Sequence, residues 1–163
     1  SLEGEAFWCV RVAPIALRKV YWYKVFVSLV MILAIAELLA VGSVYLFSQD
    51  WRLVGFAAMV TFFVVATLIG TNMGAGGYFA LYKEKNPIRV ASSQGASLTF
   101  LGSMIYLTLV AIVLAPSLYG YYEVAPHRHS LLDLPLIIIA ALSAVLFSVS
   151  THVGLRAITR DYH

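Results

Sequence analysis

The sequence predicts an all-α integral membrane protein with four transmembrane helices, and its composition and its hydropathy pattern both support this fold class. Of the 163 residues, 61% are apolar and 12% are charged, and the mean hydropathy is +0.88. A soluble domain has about 45–50% apolar and about 25% charged residues, and a chain of this size cannot hide such an excess in its interior. The excess apolar surface must therefore face lipid or other membrane proteins, which excludes a cytosolic enzyme.

Four apolar stretches are long enough to cross a bilayer, which takes about 20 residues in a helix. None of them alternates with the period of two that is typical of a barrel strand. The predicted spans, about 25–48, 53–76, 96–118 and 134–155, form a transmembrane domain of residues 25–163. The connection "SQDW" between the first two spans leaves room only for a tight turn, so these spans should form an antiparallel hairpin.

The distribution of basic residues predicts the orientation of the four spans. All 11 lysines and arginines except Arg52 and Arg128 lie on one side of the predicted spans. The positive-inside rule makes that side cytoplasmic, and an even number of spans then places both termini there. The net charge of +3 is too small to indicate a nucleic-acid partner.

Residues 1–24 precede the first predicted span and mix bulky apolar side chains with basic ones. Such a segment is expected to lie in the membrane interface, with its apolar groups in the lipid and its basic groups at anionic headgroups. The sequence therefore predicts an interfacial amphipathic segment here.

Glu37 is the one ionisable residue deep inside a predicted span. A charge at that depth costs a few kcal/mol or more, so such a residue is protonated, paired or turned to a polar cavity. Two interpretations stay open, an ion or substrate pathway and a carboxyl group that is hydrogen-bonded to a neighbouring span. We expect Glu37→Gln to fold, and loss of folding would contradict the pathway interpretation.

Small residues indicate close packing between helices at one end of the second and third spans. Gly70 and Gly74 have the G-x-x-x-G spacing that lets two helices approach closely, and small residues of the third span, Gly95 and Gly102 among them, would provide a matching surface. The neighbouring "GAGG" lacks the Gly-Lys-Ser/Thr ending of a nucleotide-binding loop. The chain is therefore not expected to bind ATP by itself.

Polar residues elsewhere do not form a set that indicates catalysis. His127 and His129 alternate in the connection between the last two spans, but a zinc site needs three or four rigidly held ligands. His152 is expected at a helix contact. We therefore expect no catalytic, cofactor-binding or metal residues and no enzymatic activity in the chain itself.

Two stretches of the sequence resemble the permease subunits of bacterial ATP-binding-cassette exporters. The first, "SLEGEAFWCVRVAPIALRKVYWYK", is similar to a family pattern at Leu2, Glu3, Gly4, Phe7, Trp8, Arg11, Pro14, Arg18, Lys19 and Lys24. The second, "NPIRVASSQGASLTFLGSMIYL", is similar at Asn86, Pro87, Ser92, Ser93, Gly95 and Leu98. The two stretches lie in the expected order and are separated by two predicted spans.

The resemblance implies a permease of about six or more spans, of which this chain would be the C-terminal portion or a shortened relative. It also implies the bacterial cytoplasmic (inner) membrane and a separate ATPase subunit at the cytoplasmic face. The residues expected to contact that partner are Phe7, Trp8, Arg11, Arg18, Lys19, Lys83, Glu84, Lys85 and Arg89. Lys83, Lys85 and Arg89 are equally explained by topology alone.

Two other functions stay open. The chain could be a non-catalytic structural subunit of a larger, for example energy-transducing, membrane complex, as its short connections and small and aromatic surface residues suggest. It could also be a stand-alone ion or proton transporter that uses Glu37. Lipid is the expected surrounding in all three cases.

Overall fold

The computed structural model describes residues 17–79, 94–124 and 130–160, and these residues are helical apart from short connections. Its elements in chain order are α1 (Leu17–Ser48), α2 (Trp51–Tyr78), α3 (Gln94–Tyr119), a π-helical turn (Gly120–Val124) and α4 (Ser130–Arg160). Four helices are long and apolar enough to cross a membrane, and no strand occurs in the described residues. The prediction of an all-helical fold with four helices of membrane-spanning length is therefore confirmed for this part of the chain.

The helices extend beyond the predicted apolar spans at most of their ends. The largest difference is at α1, which begins at Leu17 instead of residue 25. Arg18, Lys19 and Lys24 are good helix formers whose long side chains can reach out from an apolar surface, so charge alone does not end a helix. The first part of the predicted interfacial segment, residues 1–16, lies outside the described residues.

The expected long connection between the third and fourth spans is mostly helical. Helix α3 continues past Pro116 to Tyr119 and then widens into the π-helical turn that ends at Val124. Pro116 has no N–H group to donate to the carbonyl four residues earlier, which loosens the helix at this point. Tyr119, Tyr121 and Tyr122, which follow the predicted end of the third span at residue 118, are therefore part of helical structure.

The turn between α1 and α2 is as short as the sequence predicts. Gln49 has a positive φ of 50°, a conformation that commonly ends helices. Asp50 is the N-cap of α2, and its side chain accepts a hydrogen bond of 3.0 Å from the backbone N–H of Arg52. The two helices consequently run antiparallel.

Helix α2 is the most buried of the four and packs against α1 on one side and α4 on the other. One apolar cluster, at the end of the bundle that holds the α1–α2 turn, contains Leu53, Phe56, Val60, Tyr106, Val110, Tyr121, Leu132 and Ile139. A second cluster, toward the other end, joins α1 to α2 through Tyr21, Val25, Val65 and Ile69. Helix α3 is held mainly through the first cluster.

Serine and threonine hydroxyls in all four helices donate to the backbone carbonyl four residues earlier. These residues are Ser43, Ser48, Thr67, Thr71, Thr99, Ser103, Thr108, Ser117 and Thr151. This arrangement satisfies each hydroxyl within its own helix, which suits helices surrounded by a medium that offers no hydrogen bonds.

Candidate functional site

A groove of about 420 Å³ lies between α2, α3 and α4, at the end of the bundle opposite the α1–α2 turn. Its walls are formed by the last third of α2, the first half of α3 and the second half of α4. The residues that line it are Thr71, Gly74, Ala75, Tyr78, Phe79, Leu98, Thr99, Gly102, Ser103, Tyr106, Leu146, Val149, Ser150 and Val153.

Two contacts of α3 bound the groove along its length. At one end Gly95 packs so closely on Phe79 that a Cβ at Gly95 would overlap the Phe79 side chain. At the other end the Tyr106 hydroxyl lies 2.8 Å from the Ser143 hydroxyl in a buried hydrogen bond between α3 and α4. The lining residues of α3 run from Leu98 to Tyr106, eight positions along the helix, which corresponds to about 12 Å.

The groove is open to the surface, and exposed residues line it on each of its three helices. Tyr78 on α2 is 61% exposed, Leu98 on α3 is 57% exposed, and Val149 on α4 is 56% exposed. A molecule beside the bundle could therefore enter from the side, between two helices, without passing through an end.

The described residues that line the groove are uncharged. They combine apolar side chains with a few hydroxyls, and none of them is acidic or basic. Thr71, Thr99 and Ser103 already donate to carbonyls of their own helices. An ionised group placed here would lose its hydration without gaining a counter-charge, which is strongly unfavourable.

The back of the groove is the contact between α2 and α4, where the two backbones nearly touch. A Cβ at Gly154 would lie 2.6 Å from the Cα of Gly74, and a Cβ at Gly74 would lie 2.6 Å from the carbonyl carbon of Ser150. A Cβ at Gly70 would overlap the ring of Phe147. Small residues spaced four apart on each helix allow this approach.

The predicted partner of Gly70 and Gly74 was the third span, and this pairing is wrong. Both glycines pack on α4, through Phe147, Ser150 and Gly154. Ser150 and Gly154 also have the spacing of four that marks a close contact, so the signal was present in the sequence of α4.

The other two glycines that the sequence singled out have different surroundings. Gly95 lies against Phe79, on α2, as described above. Gly102 lines the groove, and a Cβ there would meet nothing within 4 Å. Contact of Gly102 with another helix therefore stays a prediction.

A part-buried polar contact lies at the other end of the bundle, which is called the closed end below because the α1–α2 turn lies there. The hydroxyl of Tyr121, a residue that is only 1% exposed, donates a hydrogen bond to Oδ2 of Asp50. This contact ties the π-helical turn after α3 to the turn between α1 and α2. The sequence did not single out either residue, because a capping Asp and a Tyr in a Tyr-rich stretch have no pattern that links them.

Apart from Glu37, the charged residues in the described part of the chain are divided between the two ends. Arg18, Lys19 and Lys24 lie at the start of α1, and Arg156 lies near the end of α4, all at the groove end. Asp50, Arg52, Glu123 and Asp133 lie at the closed end. The groove therefore opens near the more basic end of the bundle.

Glu37 is half-buried in the middle part of α1 and does not line the groove. Within the described residues it has no hydrogen-bond or ion-pair partner. The bond to a neighbouring span that one interpretation required is thus not found in this part of the chain. Involvement of Glu37 in a pathway stays a prediction.

Most of the predicted partner-contact residues fall outside the described part. Arg18 and Lys19 are exposed in the first turn of α1. Phe7, Trp8, Arg11, Lys83, Glu84, Lys85 and Arg89 lie outside the described residues, as do His127 and His129. His152 is exposed on α4 instead of lying at a helix contact.

Residues 17–79, 94–124 and 130–160 contain no group of three or more His, Cys, Asp or Glu side chains that could hold a metal ion. The polar side-chain groups among the described residues of the groove are hydroxyls, which can bind and orient a molecule.

Together these features define an all-helical protein with four helices of membrane-spanning length and an uncharged groove that opens to the side. Residues 1–161 match the model of the family described as "Putative ATP-binding cassette". The chain therefore belongs to this family. Comparison with curated proteins and with solved structures gives no match.

Proposed function

We propose that the chain forms the membrane-spanning permease part of an ATP-driven exporter in the bacterial cytoplasmic membrane. The observation that carries the proposal is the combination of membership in an ATP-binding-cassette family with four helices that are long and apolar enough to cross a bilayer. A family of this kind is expected to use ATP hydrolysis to drive transport. Four apolar helices suit transport across a membrane.

ATP hydrolysis is assigned to a different polypeptide or domain. The 163-residue sequence contains no Gly-Lys pair and hence no loop of the G-x-x-x-x-G-K-[ST] type that holds nucleotide phosphates. The proposed role of this chain is therefore the pathway, and the proposed partner is an ATPase.

The basic end of the bundle is the proposed docking face for that ATPase. Arg18 and Lys19 are exposed there, and the ends of α2 and α3 that border the groove lie at the same end. By the positive-inside rule this end is cytoplasmic, where ATP is available. An ATPase that moves these helix ends would act directly on the width of the groove.

The test is co-purification of the full chain after mild detergent extraction, followed by an ATPase assay in proteoliposomes. The proposal expects a bound polypeptide with a nucleotide-binding loop and an ATPase activity that depends on this chain. Reversing two charges at the docking face, Arg18→Glu with Lys19→Glu, should lower the coupled activity by about tenfold, which corresponds to about 1.4 kcal/mol.

Arg52→Glu is the matched control, because it reverses an exposed charge at the opposite end of the bundle. It should leave coupled ATPase activity unchanged. Equal loss in both variants would contradict the docking face, and the absence of any ATPase subunit would contradict the proposed function.

The second candidate is a structural subunit of a larger membrane complex, and one observation favours it. Helix α1 is the least buried of the four, with exposed apolar residues such as Phe26, Ile35 and Leu46 along its length. Another membrane protein could cover that face as well as lipid could. Recovery of the chain in a stable complex with redox or pigment proteins would support this candidate.

A further inference from the structure

We propose that the groove binds one linear hydrocarbon chain. This makes amphiphiles with a single acyl chain the substrate class of the permease. The statement about substrate rests on the proposed function, whereas the binding of the chain can be tested without it.

The length of the groove fits an acyl chain. Its lining on α3 runs from Leu98 to Tyr106, about 12 Å along the helix. The hydrocarbon core of a bilayer is about 30 Å thick, so the acyl chains of one leaflet occupy about 15 Å. Most of one such chain can therefore lie along the groove.

The lining of the groove fits the same ligand. Its walls are apolar side chains such as Leu98, Val149 and Val153, interrupted by hydroxyls that donate to their own helices. A hydrocarbon chain needs no hydrogen-bond partner, and it gains free energy with each methylene group that it buries. A charged or strongly polar solute would have to lose its hydration without compensation.

The side opening gives a hydrocarbon chain a route of entry. Leu98 and Val149 stand at the rim, between α3 and α4, in the part of the bundle that is apolar on its outer surface. A molecule that is dissolved in the bilayer reaches this opening by lateral diffusion.

Gly102 offers a way to block the groove without disturbing the packing. It lines the groove, and a Cβ added there meets nothing within 4 Å. Gly102→Leu therefore puts a branched side chain into the space without a backbone clash. Gly55→Leu is the matched control, because Gly55 also lies in open space on a helix but not in the groove.

The binding experiment uses the purified full chain in lipid nanodiscs and palmitate that carries a photoreactive diazirine on its chain. After illumination, mass spectrometry should locate the label on groove residues of α3 and α4, and unlabelled palmitate should compete. Gly102→Leu should lower this labelling by about tenfold, the loss expected when about two methylene groups can no longer be buried. Gly55→Leu should label like the unmodified chain.

Equal labelling of the two glycine variants would overturn the proposal, as would label spread evenly over the outer helix faces. Val149→Trp, on the facing wall, provides a second block if Gly102→Leu does not fold. Labelling of the unmodified chain needs neither ATP nor an ATPase. The binding experiment can therefore succeed even where coupled transport fails. If palmitate labels the groove but single-chain amphiphiles do not stimulate the coupled ATPase activity, only the assignment of the substrate class is contradicted.

Discussion

Asp50 shows how one side chain can hold three helices together. One of its oxygens caps α2 by accepting the Arg52 N–H group, and the other accepts the hydroxyl of Tyr121 beyond the end of α3. Tyr121 is buried at 1% exposure, so its hydroxyl would be costly to leave without this acceptor. A residue in a two-residue turn thereby fixes the position of a helix that follows much later in the chain.

Tyr121→Phe should lower the free energy of unfolding by about 1.5–3 kcal/mol, the range for hydrogen bonds to charged groups. The ring stays in the apolar cluster, so the change isolates the hydroxyl. Unfolding in detergent micelles, followed by circular dichroism, measures the effect. Tyr122→Phe, at an exposed neighbour, should be neutral, and a neutral Tyr121→Phe would contradict the structural role given to this bond.

Glu37→Gln should change the free energy of unfolding by no more than about 0.5 kcal/mol, as for substitutions that break no specific interaction. The reason is that the carboxyl group has no partner in the described residues. Thermal unfolding in micelles measures the effect, with Glu123→Gln at an exposed position as the control. A large loss of stability would show that the carboxyl group is needed for folding and would remove the pathway interpretation.

At the scale of whole helices, the contact between α2 and α4 is the closest in the described residues, and glycine makes it possible. Gly74 and Gly154 face each other there with no side chain between them. Helices that are surrounded by lipid gain no hydrophobic free energy when they associate. Close backbone packing of this kind is therefore a main source of helix association. This contact also forms the back of the groove.

Gly74→Ala should destabilise the bundle by about 1–3 kcal/mol, because the new methyl group must push the Ser150 backbone away. Gly76→Ala, two residues further on and in open space, should instead gain up to about 1 kcal/mol from helix propensity. Denaturant titration of both variants in micelles gives the comparison. Equal stability of the two variants would contradict the observed packing of α2 on α4.

The number of helices could be predicted from the sequence, but their pairing could not. Runs of about 20 apolar residues between polar connections are enough to count helices. Each helix is apolar all round, however, so hydropathy does not mark which face meets a neighbour. The G-x-x-x-G spacing identified Gly70 and Gly74 as contact residues, and only the structure shows that they contact α4.

Within the candidate site, the sequence indicated the small residues but not the residues that form a hydrogen bond between helices. Gly74 and Gly102 were singled out by their size, and both line the groove. Tyr106 and Ser143 were not, because a hydrogen bond between helices joins residues that are 37 positions apart. The groove itself depends on how far α3 stands from α2 and α4, which composition does not determine.

At the scale of the whole molecule, the groove lies at the end of the bundle that carries most of the basic residues. Orientation in the membrane then decides which compartment this end adjoins. The positive-inside rule predicts the cytoplasm. The proposed contact with an ATPase depends on this orientation.

Single cysteines in a Cys9→Ser background test the orientation in intact cells with a membrane-impermeant maleimide. Arg128→Cys should label from outside, and Lys85→Cys should label only after the cells are opened, because the predicted spans place these residues on opposite faces. His163→Cys at the C-terminus should behave like Lys85→Cys. Labelling of Lys85→Cys and Arg128→Cys from the same face would refute the predicted topology.

The bond between Asp50 and Tyr121 has a mechanical consequence. It anchors α3 at one end, and near the other end of the groove Gly95 packs on Phe79. The bond between Tyr106 and Ser143 holds the helix again near its middle. A tilt of α3 is therefore expected only in the stretch from Tyr106 to Gln94, which is about 18 Å long, and a tilt of about 10° would carry Gln94 through about 3 Å.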